Sequence, residues 1–127
     1  MIFDTDILVW YLRKRAEAAT FLARVPPAER TVSTITYLEL LYGCRDRAGL
    51  RDVQEFVSGA FSEIVPITEA ISEAARQIME RYALSHRPDV TDVLIAATAL
   101  NRGEVVATGN VKHFDFIPGL VIKPFRL

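Results

Sequence analysis

Residues Asp92–Asn101 form a helical run that is apolar almost all the way round. A helix without a polar face has no side to give to water, so it must lie buried between other elements. Its surroundings are read from the rest of the chain. Met1–Asp4, Thr31–Ser33, Ile64–Val65, Val105–Ala107 and Leu120–Ile122 are short apolar or β-branched runs of the kind that form buried strands. Between them the pattern turns helical. Residues 5–14 open with Thr5 and Asp6 and close on Arg13, Lys14 and Arg15, acids first and bases last. Residues 16–25 continue helically until Pro26 and Pro27 stop them.

Ile35, Leu38, Leu41 and Tyr42 recur at helical spacing up to Gly43. Leu50, Val53, Phe56, Val57, Ala60 and Phe61 mark a second amphipathic helix, and Ile67, Ile71, Ala74, Ala75, Ile78 and Tyr82 a third. Ser85–Thr91 reads as a loop, and Gly103 stands where a helix ends. Strands that alternate with helices specify an α/β domain with a mainly parallel sheet and helices on both faces. Ligands of such sheets collect at the carboxyl ends of the strands.

The 127 residues are 50% apolar and 24% charged, with no internal repeat or linker, which predicts one domain over 1–127 and excludes a disordered chain. Cys44 is the only cysteine, so a disulfide framework and a multi-thiol zinc site are excluded. The longest apolar run, Val93–Leu100, is eight residues, against about 20 needed to span a bilayer. Met1, Ile2, Phe3 and Asp4 contain no basic segment of the kind that starts a signal peptide. A soluble, cytoplasmic protein without membrane association is expected. A net charge of −1 lacks the basic excess of a protein that coats nucleic acid, but leaves room for a local basic rim around a metal-filled acidic pocket.

Three acids fall near the expected crevice. Asp4 ends the first strand, where it serves equally as a helix cap or a site residue. Glu39 borders the buried stripe of its helix, and a carboxylate there needs a cation, either an arginine or a metal. Asp92 starts the apolar helix, whose N-terminus would hold it ionised, so capping and metal binding are compatible. Oxygen donors without thiolates suit Mg²⁺ or Mn²⁺. His86 and His113 are read as surface loop residues. No phosphate-binding glycine loop, dinucleotide turn or hydrolase elbow is present.

In this order and spacing, Ile2–Asp6, Ser33–Leu40 with Gly43, Asp92–Ala99, Thr108–Phe114 and Ile117–Leu120 resemble the PIN domains, and among them the VapC-type toxins of toxin–antitoxin pairs. The resemblance implies a PIN-like three-layer α/β/α fold. It implies Asp4, Glu39 and Asp92 as metal-binding and catalytic acids, with Thr5 beside the first. The fourth catalytic position, often an acid, falls on Asn110, which brings an amide oxygen but no charge. Asp6 and Asp89 are the nearby acids that could supply it, and Asp115 reads as a solvated loop charge.

The implied activity is Mg²⁺-dependent hydrolysis of RNA phosphodiester bonds, with Mn²⁺ as the alternative ion and a 5′-phosphate product. The implied partners are an RNA substrate, a VapB-type antitoxin and a second copy in a homodimer. The apolar faces of residues 7–25 and 35–61 are the expected sites for the two protein partners. Arg13, Lys14, Arg15, Arg45, Arg47, Arg87 and Lys112 lie at helix ends or in loops, and as a set they form a plausible phosphate rim. Two other readings stand beside this one. A catalytically silent PIN module binding RNA or protein is compatible with Asn110. A haloacid-dehalogenase-like phosphotransferase fits Asp4, Thr5 and Asp6, but not Leu8 or the absence of a late paired-acid motif.

Overall fold

Neighbouring residues of a strand point to opposite faces of a sheet, and the two residues of β1 (Ile2–Phe3) already divide this molecule. Ile2 joins one buried cluster with residues of two later helices, and Phe3 joins a second cluster on the other side. The computed structural model describes residues 1–127. After β1 come α1 (Thr5–Leu12), α2 (Ala16–Ala23), β2 (Thr31–Ser33), α3 (Thr34–Tyr42) and α4 (Arg47–Ala60). Then follow β3 (Glu63–Val65), α5 (Glu69–Tyr82), α6 (Val90–Arg102), β4 (Val106–Thr108) and β5 (Ile122–Pro124). Short 3₁₀ turns occupy Pro27–Glu29 and Val111–His113.

The five strands form one sheet in the order β3-β2-β1-β4-β5, and every pairing is parallel. Residues of α5 and α6 pack on the face of Ile2 and Val106, whereas α1, α2 and α4 pack on the face of Phe3 and Ala107. This is the three-layer α/β/α arrangement expected from the alternation of strands and helices. Helix α6 is buried at Val93 and from Ile95 to Ala99, as its all-round apolar sequence requires. Gly103 caps it in the left-handed conformation, φ 64°, which favours glycine. In the second core, Phe3 meets Phe21 and Phe61 edge-on at 6.1 and 5.6 Å. Truncating such a ring costs about 3–5 kcal/mol.

Three of the boundaries that differ from the sequence reading have a visible cause. Lys14 adopts φ 64° between α1 and α2, where Arg13 and Arg15 lie over the Trp10 ring at 5.6 and 5.4 Å. Helix α6 starts at Val90, before Asp92, because Asp89 is the residue with extended backbone at the cap. The last strand is Ile122–Pro124 rather than Leu120–Ile122, since register against β4 sets it: Val106 pairs with Ile122 and Thr108 with Pro124. Pro124 is tolerated because β5 is an edge strand.

Candidate functional site: an acidic cleft at the sheet's switch point

The chain leaves β1 toward β2 on one side, while the later α5–α6 crossover delivers β4 to the other. The carboxyl ends of β1 and β4 therefore border a topological switch point, where neighbouring loops part and leave a crevice. Asp4 stands at the end of β1 and is 4% exposed. Its Oδ1 accepts from the Thr5 N–H at 2.7 Å, and its Oδ2 from the Thr108 hydroxyl at 2.7 Å. Burial, then the nearby Asp6 and Asp92 charges, push the Asp4 carboxyl up to about 7 against the opposing pull of those two donors.

Glu39 arrives from α3 and is exposed, in contrast to the half-buried setting expected for it. No arginine pairs with it. Two hydroxyls orient it instead: Thr5 Oγ1 donates to Oε1 at 2.7 Å and Thr91 Oγ1 to Oε2 at 3.2 Å. Thr5 is itself fixed by the buried Thr36, 3.1 Å away. Glu39 is thus tied to the residue after Asp4 and to the residue before Asp92.

Asp92 lies in the first turn of α6, and its Oδ2 is 3.0 Å from His113 Nδ1. Burial raises its carboxyl above the usual range, Asp89 and Glu39 add to the rise, and His113 opposes it. Asp6 reaches across to the loop after β4. Its Oδ2 accepts from the Gly109 N–H at 3.0 Å and from Asn110 Nδ2 at 3.1 Å. A Cβ at Gly109 would stand 2.6 Å from that carboxylate oxygen, so any other residue there must displace the Asp6 side chain. Burial raises Asp6 as well, opposed by the N–H groups of Gly109 and Ile7.

Asp4, Glu39, Asp92 and Asn110 consequently line one cleft of about 430 Å³, together with Asp6, Asp89 and His113. No lysine or arginine is part of its wall. The three acids predicted from the sequence share this cleft without closing into the tightest group. One ligand atom each from Asp89, Asp92 and His113 lie within 4.8 Å of one another. His113 is the residue that the sequence reading missed, because its contact with Asp92 spans two elements and no spacing rule reports it. Asp115 is exposed, as expected of a solvated loop charge. Of the proposed basic rim, Arg15 pairs with Glu17, whereas Arg87 and Lys112 line a cleft that adjoins the acids.

Such a wall fits a hard divalent cation. Oxygen donors dominate it, thiolates are absent, and repulsion between the buried Asp4 and the half-buried Asp6 and Asp92 is relieved by positive charge.

Residues 1–117 match the family model described as the PIN domain. Ribonuclease VapC19 of Mycobacterium tuberculosis is 36% identical over 122 residues, covering 94% of this chain and 95% of that protein. The chain belongs to the PIN-domain family, in its VapC branch. Ribonuclease VapC10 of the same organism is 34% identical, covering 94% of this PIN domain and 90% of the relative. Among solved structures, a toxin–antitoxin complex from Klebsiella pneumoniae superposes with a TM-score of 0.82 at 29% identity, covering 99% of this chain and 98% of that one. No helix of the PIN domain is long and apolar enough to cross a membrane.

Proposed function

We propose that this PIN domain is a divalent-metal-dependent endoribonuclease, the toxin of a pair in which an antitoxin silences it. The observation that carries the reading is the cleft wall: five carboxylates, from Asp4, Asp6, Glu39, Asp89 and Asp92, with no lysine or arginine among them. Its agreement with relatives named ribonucleases, and with a neighbour described as a toxin–antitoxin complex, supports the activity and the partner.

Asp4, Glu39 and Asp92 are the residues we assign to holding the ion, Mg²⁺ or Mn²⁺. When bound, it acidifies water and neutralises charge that builds on the phosphoryl oxygens. The chain's own groups prepare the site. Thr108 and the Thr5 N–H hold both oxygens of Asp4, Thr5 and Thr91 aim Glu39, and His113 orients Asp92. Asp6 engages the amide nitrogen of Asn110, which leaves the amide oxygen as the group free to face a cation or a water. Asn110 thereby keeps a catalytic role without charge.

An apolar groove of about 400 Å³ runs beside the acids, walled by Val9 and Leu12 of α1, Leu40 of α3 and Val53 of α4. Glu39 belongs to the wall of both groove and acidic cleft. We assign the groove to a VapB-type antitoxin segment. A homodimer acting in the cytoplasm completes the reading, with exposed Leu38 and Tyr42 of α3 as apolar surface for a second protein chain.

The deciding experiment is cleavage of total cellular RNA by the purified chain, with Mg²⁺ or Mn²⁺, beside EDTA and Asp4→Asn controls. Discrete fragments that require both metal and Asp4 are expected. Folded, antitoxin-free protein that cuts no RNA under any of these conditions would overturn the proposal.

A further inference from the structure

The acidic cleft does not end at Asp92. A second cleft of about 220 Å³ opens beside it, with Asp89, Asp92 and His113 in the walls of both. Its far side has a different chemistry: Arg87, Lys112, His86 and Phe116. Three cations elsewhere in the chain are ion-paired, Arg15 with Glu17, Arg76 with Glu73 and Glu80, and Arg102 with Glu63 and Glu104, and the rest form no ion pair, so it is position at the cleft that sets Arg87 and Lys112 apart. Arg87 and Lys112 have no ion-pair partner and are exposed, so two free positive charges face a cleft continuous with the acids. Arg87 is also held at φ 46°, a backbone conformation that L side chains seldom adopt.

An aromatic platform stands beside these charges. The exposed His86 ring lies stacked on half-buried Phe116 at 4.2 Å and 17°. Tyr82 meets both rings edge-on, at 5.5 and 5.0 Å, and Ser85 Oγ is 2.8 Å from His86 Nδ1. The ring is therefore supported from one face and from its edge, while its exposure leaves surface for another planar group. Free cations for a phosphate, next to a braced ring for a base, are the two elements by which proteins hold single-stranded nucleic acid.

We infer that this cleft is a nucleotide subsite, in which Arg87 and Lys112 bind a phosphate flanking the cleaved one while His86, backed by Phe116, stacks on an unpaired base. The inference rests on the nuclease reading above and names the strand's path away from the acids. It favours single-stranded or looped RNA, since drawing a base out of a duplex onto the ring costs a few kcal/mol of stacking and pairing. Arg87, Lys112 and His86 touch substrate and not the reacting atoms, so they act on binding.

The test compares the unaltered chain with Arg87→Gln/Lys112→Gln, His86→Ala and His86→Phe, each checked for an unchanged melting temperature. Affinity for a short fluorescein-labelled single-stranded RNA is read by anisotropy in EDTA across a KCl series. Cleavage of the RNA that the chain cuts is followed with Mg²⁺. The double variant should bind about tenfold more weakly, with a salt slope smaller by about 0.7 for each phosphate that is no longer neutralised. Most of its kinetic effect should fall on KM rather than kcat. His86→Ala should weaken binding about fivefold or more, and His86→Phe should restore it.

Unchanged affinity and KM in a chain that still cleaves RNA would overturn the subsite and leave the nuclease standing; that result would point to an acidic segment of a protein partner as the occupant. RNA binding without cleavage by the unaltered chain would overturn the nuclease reading, and the variants' affinities would still decide the subsite. Neither binding nor cleavage would overturn both.

Discussion

The hydroxyl of Thr108 donates to Asp4 Oδ2 at 2.7 Å and accepts from the Asn110 N–H at 2.9 Å. One fully buried threonine on β4 thus fixes an acid on β1 and the start of the loop that carries Asn110 and His113. Adjacent parallel strands bring the two ends level, as the pairing of Phe3 with Ala107 shows.

Thr108→Val keeps the shape and removes both hydrogen bonds. Breaking them leaves a buried carboxyl and an amide N–H short of partners, at a cost of about 1–3 kcal/mol in stability. The Thr108 bond also lowers the Asp4 pKa, so its removal should move the rising limb of the pH–rate profile to higher pH. Urea unfolding and a pH–rate series check the two effects.

Asp4→Asn should abolish cleavage, by at least a hundredfold on the usual scale for groups acting on the reacting centre, yet stabilise the metal-free protein. Burial lifts the Asp4 carboxyl from 3.8 to about 7, so between those values the folded state keeps a proton that the unfolded state has released. Stability without metal therefore falls as pH rises through that window, and the loss is complete above about 7. Replacing the carboxyl by an amide should recover on the order of 1–4 kcal/mol there. Melting in EDTA at acid and mildly alkaline pH tests it; parallel pH dependence in both proteins would count against a raised Asp4.

His113→Ala should weaken Mn²⁺ binding several-fold more than Mg²⁺ binding. A ring nitrogen grouped with Asp89 and Asp92 suits a transition-metal ion, whereas Mg²⁺ prefers oxygen donors and its own waters. Calorimetric titration with each ion gives the comparison, and equal weakening for both ions would show that His113 only orients Asp92.

Gly109→Ala should destabilise the chain by about 1–3 kcal/mol, because the added Cβ would overlap a carboxylate oxygen of Asp6. Asp6→Ala removes that oxygen, so the double variant should be destabilised by less than the two single variants combined. Urea unfolding of the four proteins in a double-mutant cycle measures the coupling.

Much of this was legible in advance because period and burial are written locally. The alternation of strands with helices, the all-round apolar α6 and the Gly103 cap each follow from a few adjacent residues. Asp4, Glu39 and Asp92 were legible as acids next to strand ends and apolar stripes, and the cleft gathers them. Side-chain partners were not legible. Glu39 looked in need of a cation; no arginine supplies one, and the hydroxyls that aim its carboxylate, from Thr5 and Thr91, lie 34 and 52 residues away. The pairing of His113 with Asp92 and the grip of Asp6 on Asn110 depend in the same way on parallel register. Strand β5 moved for a related reason: apolar density pointed to Leu120 and Val121, while pairing with β4 selected Ile122–Pro124.

Glu39 is a wall of two chambers, so a charge placed in one would act on the occupant of the other through the same carboxylate. An antitoxin segment that brings positive charge beside Glu39 weakens the pull of the acids on a cation, and a cation in the cleft weakens the attraction for that segment by the same factor. On the proposed assignment of groove and cleft, toxin and antitoxin would be coupled through the divalent-ion concentration around them, with one carboxylate as the exchange point between the two.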